Sequence, residues 1–124
     1  MKFYICSHCG NIITFEKSSG APVSCCGEQM KELIPGAVDA AVEKHVPSVK
    51  IDGKKVTVTV GEVAHPMTEA HYIMWIILET KNGSQKAVLT PSSQAKAEFV
   101  LSDSDEAVAA YAYCNLHGLW MKEI

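Results

Sequence analysis

Four cysteines stand near the start of the chain, as Cys6-Ser7-His8-Cys9 and, fifteen residues on, Cys25-Cys26. A C-x-x-C turn brings two thiolates to one ion, and a second pair completes a tetrahedral set of the kind that holds zinc or iron. Spacing alone does not separate those two metals. Side chains of neighbouring residues diverge, so Cys25 and Cys26 reach one ion only if the angle between their sulfurs opens; a distorted site is expected. The alternative is a pair of disulfides, which a reducing cytosol disfavours. His8 lies inside the first loop, is surplus to a four-thiolate set and is expected to face solvent.

The remaining four histidines and one cysteine form a second constellation: His45, His65, His71, Cys114 and His117. A lone histidine or cysteine is ordinarily a surface or core residue, but the placement of these changes the reading. His45 precedes Val46-Pro47 and His65 precedes Pro66, and proline biases the residue before it toward extended backbone, as suits a loop held rigidly at a site. Cys114-Asn115-Leu116-His117 sets a thiolate and an imidazole three residues apart, with Gly118 following. Four imidazoles and one thiolate suit a redox-active iron or copper, and five ligands leave one octahedral position open.

These segments resemble a known family. Glu43-Lys44-His45-Val46-Pro47, His65-Pro66-Met67, His71 and Cys114-Asn115-Leu116-His117-Gly118-Leu119-Trp120 are similar to the ligand segments of superoxide reductases. With the four-cysteine head included, nearly the whole chain resembles the two-iron members of that family, the desulfoferrodoxins. The resemblance implies two non-haem irons. One is on Cys6, Cys9, Cys25 and Cys26 in a desulforedoxin-like head; the other is on His45, His65, His71 and His117, with Cys114 as the axial ligand. It implies one-electron reduction of superoxide to hydrogen peroxide without formation of oxygen. Re-reduction would come from a small carrier such as rubredoxin. It also implies that Glu43 can occupy the sixth position of the oxidised iron. Lys44, beside the first histidine, is expected to attract the superoxide anion and stabilise developing negative charge. Backbone N–H groups of Leu116 and His117 are expected to point at the Cys114 sulfur.

A dismutase must also oxidise superoxide, for which a thiolate-ligated iron is poorly poised. An oxygenase more typically shows two histidines and a carboxylate. The non-enzymatic alternative is a zinc ribbon joined to an immunoglobulin-like interaction module with no redox activity.

The elements that must position these residues fall into two parts, 1–35 and 36–124, parted at Pro35-Gly36. The first has too few apolar residues for a core and needs a metal, disulfides or a partner; the second is long enough to bury a core. Val56-Thr57-Val58-Thr59-Val60 alternates between two faces, after a hairpin signal at Asp52-Gly53. Strands are also expected over 71–80, 85–90 and 96–101, with Asn82-Gly83 a second hairpin signal. Residues 107–113 are alanine-rich yet read as a strand from the Tyr111/Tyr113 alternation. The fold class is mostly β: the small head, then an immunoglobulin-like antiparallel β-sandwich of six or seven strands. In strand 71–78, Ile73, Trp75 and Ile77 are placed on one face and Tyr72, Met74, Ile76 and Leu78 on the other; such two-sided apolarity fits a homodimer interface. A formal charge of −3 with mixed signs argues against a nucleic-acid surface. No secretory leader and no membrane span is read, so a cytoplasmic location is expected.

Overall fold

Only Phe3, Cys6 and Met30 are buried in the first 34 residues, and this segment builds small ladders rather than a packed layer. The computed structural model describes all 124 residues, Met1–Ile124, and divides them into two units, Met1–Ile34 and Pro35–Ile124. In the first unit, β1 (Phe3–Ile5) pairs antiparallel with β2 (Ile12–Ile13) on one side. On its other side it pairs with β5 (Lys31–Leu33), in the register Phe3↔Leu33. Between them β3 (Ser24–Cys25) and β4 (Glu28–Gln29) form a separate hairpin. The two turns that carry the cysteines thus hang from short antiparallel pairs.

The second unit begins with a single helical turn, α1 (Val42–His45), followed by seven strands. They are β6 (Pro47–Asp52), β7 (Lys55–Val60), β8 (Ile73–Thr80), β9 (Gly83–Val88), β10 (Lys96–Val100), β11 (Ala107–Cys114) and β12 (Gly118–Glu123). They make two antiparallel sheets, β10-β7-β6 and β12-β11-β8-β9, which pack into the expected sandwich. The alternation in β7 works as read: Val56, Val58 and Val60 are fully buried while the residues between them face outward. Each such side chain contributes roughly 1.5–3 kcal/mol of burial. They meet Ile76 and Leu78 of β8, Phe99 of β10, and Ala110 and Ala112 of β11. The alanines of β11 lie between β8 and β12, where tertiary packing overrides their helix propensity.

Two expectations are corrected. The faces of β8 do not alternate cleanly. Cys114 pairs with Ile73 while Tyr113 pairs with Trp75, so Met74 has no partner on β11 and forms a bulge. A bulge shifts the parity of everything beyond it, which puts Ile73 in the core beside Ile76 and Leu78. The last strand, β12, was not anticipated; it folds back on β11 from Cys114↔Gly118 to Ala109↔Glu123. No helix is long and apolar enough to cross a membrane.

Candidate metal centres

The four-cysteine turns are built from opposite local geometries. Cys6 directly follows β1, and its amide donates to Asn11 O at 2.9 Å while its carbonyl accepts from Gly10 at 3.0 Å, closing a tight loop around Cys9. The Cys9 amide donates to Cys6 Sγ at 3.5 Å. In the second hairpin Cys25 pairs with Glu28, so Cys26-Gly27 is the whole loop. Its φ values are 53° and 74°, the two positive angles of a type I′ turn. Cys26 is the one non-glycine residue with positive φ. This left-handed backbone lets the sulfurs of adjacent residues converge. The Cys25–Cys26 separation is 4.0 Å against 3.6 Å for Cys9–Cys25, a spread in the expected direction.

All four sulfurs lie within 4.8 Å of one another. The thiols resist joint ionisation. Amide donors from Cys9 and His8 hold Cys6 down to about 6, whereas the neighbouring sulfurs, Cys9 foremost, push Cys26 up to about 12 and also raise Cys25. Only a cation among them lets four thiolates coexist, so the donor set fits a metal. Asn11 Nδ2 donates to Cys25 Sγ at 3.6 Å. His8 is solvent-exposed, as expected, but its Nε2 also bonds Glu28 Oε2, linking the two cysteine loops. Because this unit buries so little, stripping its metal is expected to unfold residues 1–34 while leaving the sandwich intact. Limited proteolysis after chelation should cut within the first unit and spare the second; equal protection of both would contradict this.

The second constellation assembles from four separate segments. His45 closes α1, where Val46 takes the extended backbone demanded by Pro47 (φ −69°, ψ 125°) and stops the helix. His45 itself is therefore helical, not extended. His65 and His71 lie in the β7–β8 connection, Cys114 ends β11, and His117 sits in the turn to β12. The rings form a square. Neighbouring centroids are 4.7 Å (His45–His65), 4.6 Å (His65–His71), 5.0 Å (His71–His117) and 4.8 Å (His117–His45), all near perpendicular. The diagonal His45–His71 is 6.3 Å with the rings at 28°. Cys114, fully buried, places Sγ 3.8 Å from His117 Nδ1. The sulfur, His45, His65 and His71 present ligand atoms within 4.8 Å of one another.

Hydrogen bonds assign the tautomers. His45 Nδ1 donates to Ala41 O and His65 Nδ1 to Pro66 O, each at 2.7 Å. A carbonyl only accepts, so both protons are on Nδ1 and both Nε2 atoms carry lone pairs. Those lone pairs face each other at 3.2 Å, and His117 Nδ1 lies 3.1 Å from His45 Nε2. His71 Nε2 is buried with no partner at all. Lone pairs converging on one point need a cation, and the residues fit one. Burial also lowers the basicity of His45, of His65 (to about 4) and of His71, which keeps the imidazoles neutral and able to ligate. His117 Nδ1 is a polar neighbour of the Cys114 sulfur, at 3.8 Å.

The Desulfoferrodoxin family model matches residues 37–123. Over 122 residues the chain is 44% identical to desulfoferrodoxin of Nitratidesulfovibrio vulgaris, covering 98% of this chain and 95% of that protein. The chain belongs to the desulfoferrodoxin family. The crystal structure of the superoxide reductase from Treponema pallidum superposes with a TM-score of 0.82 at 37% identity, covering 98% of each chain. Superoxide reductase of Pyrococcus horikoshii is 35% identical over 77% of this chain and 96% of that protein.

Two further residues shape this site: Trp120, which the sequence offers only as the end of the Cys114–Trp120 segment, and Gly61, which it does not single out. Trp120 lays its ring against His45, with centroids 5.1 Å apart, and donates Nε1–H to His117 O at 3.0 Å. Gly61 donates its amide to Val46 O at 3.1 Å, and Val63 donates to Glu43 O at 3.0 Å. This seats the turn after β7 directly on the backbone of Glu43 and Lys44. The signal for Gly61 was a glycine closing a run of β-branched residues, which by itself reads only as a strand end.

Proposed function

We propose that this chain is a superoxide reductase that converts superoxide to hydrogen peroxide in the second unit, and that the first unit carries a separate iron. The observation that carries the reading is the square of four imidazoles with a buried thiolate beside it. His45, His65, His71, His117 and Cys114 would hold a ferrous iron, which would supply the single electron that, with two protons, turns superoxide into hydrogen peroxide. Cys6, Cys9, Cys25 and Cys26 would hold the other iron. The family match over residues 37–123 supports placing the reaction in the sandwich, residues 36–124, rather than in the head, residues 1–35.

The side chains around the square set how the anion arrives. Lys44 precedes His45 on α1, is exposed, and its positive charge acts on both His45 and His71. A cation so placed draws in superoxide and offsets negative charge at the site. Glu43, on the same turn, is read as the carboxylate that approaches the oxidised centre. Cys114 is shielded from water by the core around it, which keeps its thiolate an electron-rich donor. Rubredoxin or a similar small carrier is the proposed reductant and a homodimer the proposed assembly. A reducing cytoplasm suits the five free cysteines.

Rapid mixing of the reduced protein with superoxide tests the reaction. One peroxide per superoxide with no oxygen is expected; half that peroxide, with oxygen, means dismutation, and a colourless, iron-free protein means the zinc-ribbon reading was right. Lys44→Ala is expected to lower the second-order rate about tenfold at low salt and flatten its ionic-strength dependence; an unchanged rate sinks the steering role. Glu43→Ala should leave that rate nearly intact and alter the resting ferric spectrum.

A further inference from the structure

We infer that Asn115 is the positioning residue for His71, clamping the backbone on both sides of that histidine and tying it to the Cys114–His117 turn. Its Oδ1 accepts the amide of Tyr72 at 2.9 Å, and its Nδ2 donates to the carbonyl of Ala70 at 3.0 Å. Its own amide donates to Tyr72 O at 3.2 Å, extending the β11–β8 ladder one step past Ile73. The amide orientation is unambiguous, because a carbonyl requires a donor and an N–H an acceptor.

His71 needs such a device more than its neighbours do. The rings of His45 and His65 are each oriented by a backbone carbonyl on Nδ1, whereas the His71 side chain has no such bond and its Nε2 faces the cluster without a partner. The backbone of His71 closes on Thr68 through both its N–H and its C=O, and the Thr68 hydroxyl accepts the same N–H at 3.1 Å. That makes residues 68–71 a small turn closed on itself by hydrogen bonds. Asn115 bonds Ala70 inside this turn and Tyr72 just after it to the strand end that carries Cys114. One side chain thus sets the distance between His71 and two other members of the cluster. Aspartate cannot replace it, since it would set an oxygen against the Ala70 carbonyl.

The inference rests on the reading of His71 as a ligand, and the test separates the two. Asn115→Asp, His71→Ala and the double variant are made in the full chain and loaded with iron. Chelator competition is followed by the ferric resonance of the second site, with that of the four-cysteine site as internal control. Asn115→Asp is expected to weaken iron retention about 10–100-fold and change the second resonance while leaving the first untouched. Added to His71→Ala, it should bring no further loss. Wild-type retention and resonance in Asn115→Asp overturn the clamp, as does an undiminished loss in the double variant. A His71→Ala protein with an unchanged second resonance overturns the ligand reading and the clamp with it. If Asn115→Asp does not fold, Asn115→Ala is measured by the same criteria.

Discussion

Cys114→Ser is expected to abolish the visible absorption of the second iron and to lower the rate of superoxide reduction more than about 100-fold, beyond the 10–100-fold typical of losing a group that merely supports a ligand. Cys114 is fully buried within the sandwich core, with His117 Nδ1 3.8 Å from its sulfur. Serine matches its size but does not ionise at ordinary pH, so the cluster loses its only thiolate. The buried hydroxyl would also lack a partner, which costs about 1–3 kcal/mol. Cys114→Ala separates the two effects: it removes the thiolate without burying a polar group, so absorption should vanish with a smaller loss of stability. A serine or alanine variant that keeps the visible band and the rate would exclude Cys114 as a ligand. Cys9→Ser serves as the complement, since it should perturb the four-cysteine iron and leave superoxide reduction measurable.

Gly61→Ala is expected to destabilise the second unit by about 3–5 kcal/mol, a range reserved for changes that break a packed arrangement. Gly61 has φ 83°, and a Cβ there would lie 2.4 Å from Val63 O, 2.7 Å from Lys44 O and 2.8 Å from Glu43 O. All three are backbone atoms, so no flexible side-chain end can give way. The left-handed backbone alone costs an L-residue about 1–2 kcal/mol, and displacing α1 adds the rest. Against a total stability of about 5–15 kcal/mol, this should lower the melting temperature by more than about 10 °C. The displaced turn carries Glu43, Lys44 and His45, so iron in the second site should be lost before iron in the first. Thermal melts and site-resolved iron content check this. A melting temperature within about 2 °C of wild type would show that the turn yields without cost.

The inventory of donors was legible in the sequence because residue type decides what a side chain can ligate. Cys6, Cys9, Cys25 and Cys26 declare their site through spacing, since each pair acts across a single local turn. Cys114 and His117 do so for the same reason, and the alternation of Val56, Val58 and Val60 declares its strand through a period of two. None of these readings requires knowledge of distant contacts.

The rest depended on contacts between segments far apart in the chain. His45, His65, His71 and His117 form a square only because α1, the β7–β8 connection and the β11–β12 turn meet at one end of the sandwich, and sheet register decides that meeting. The bulge at Met74 moved Ile73 into the core against the simple alternation, a consequence of where β11 pairs rather than of any residue in β8. The approach of Gly61 to the Glu43 and Lys44 carbonyls, and the grip of Asn115 on Ala70 and Tyr72, likewise arise between segments with no local pattern to announce them. The sequence by itself therefore determined which donor atoms this protein can offer to a metal, and the tertiary structure alone decided how the second set is arranged and held, because imidazoles from separate segments acquire a common geometry only when the backbone between them is packed.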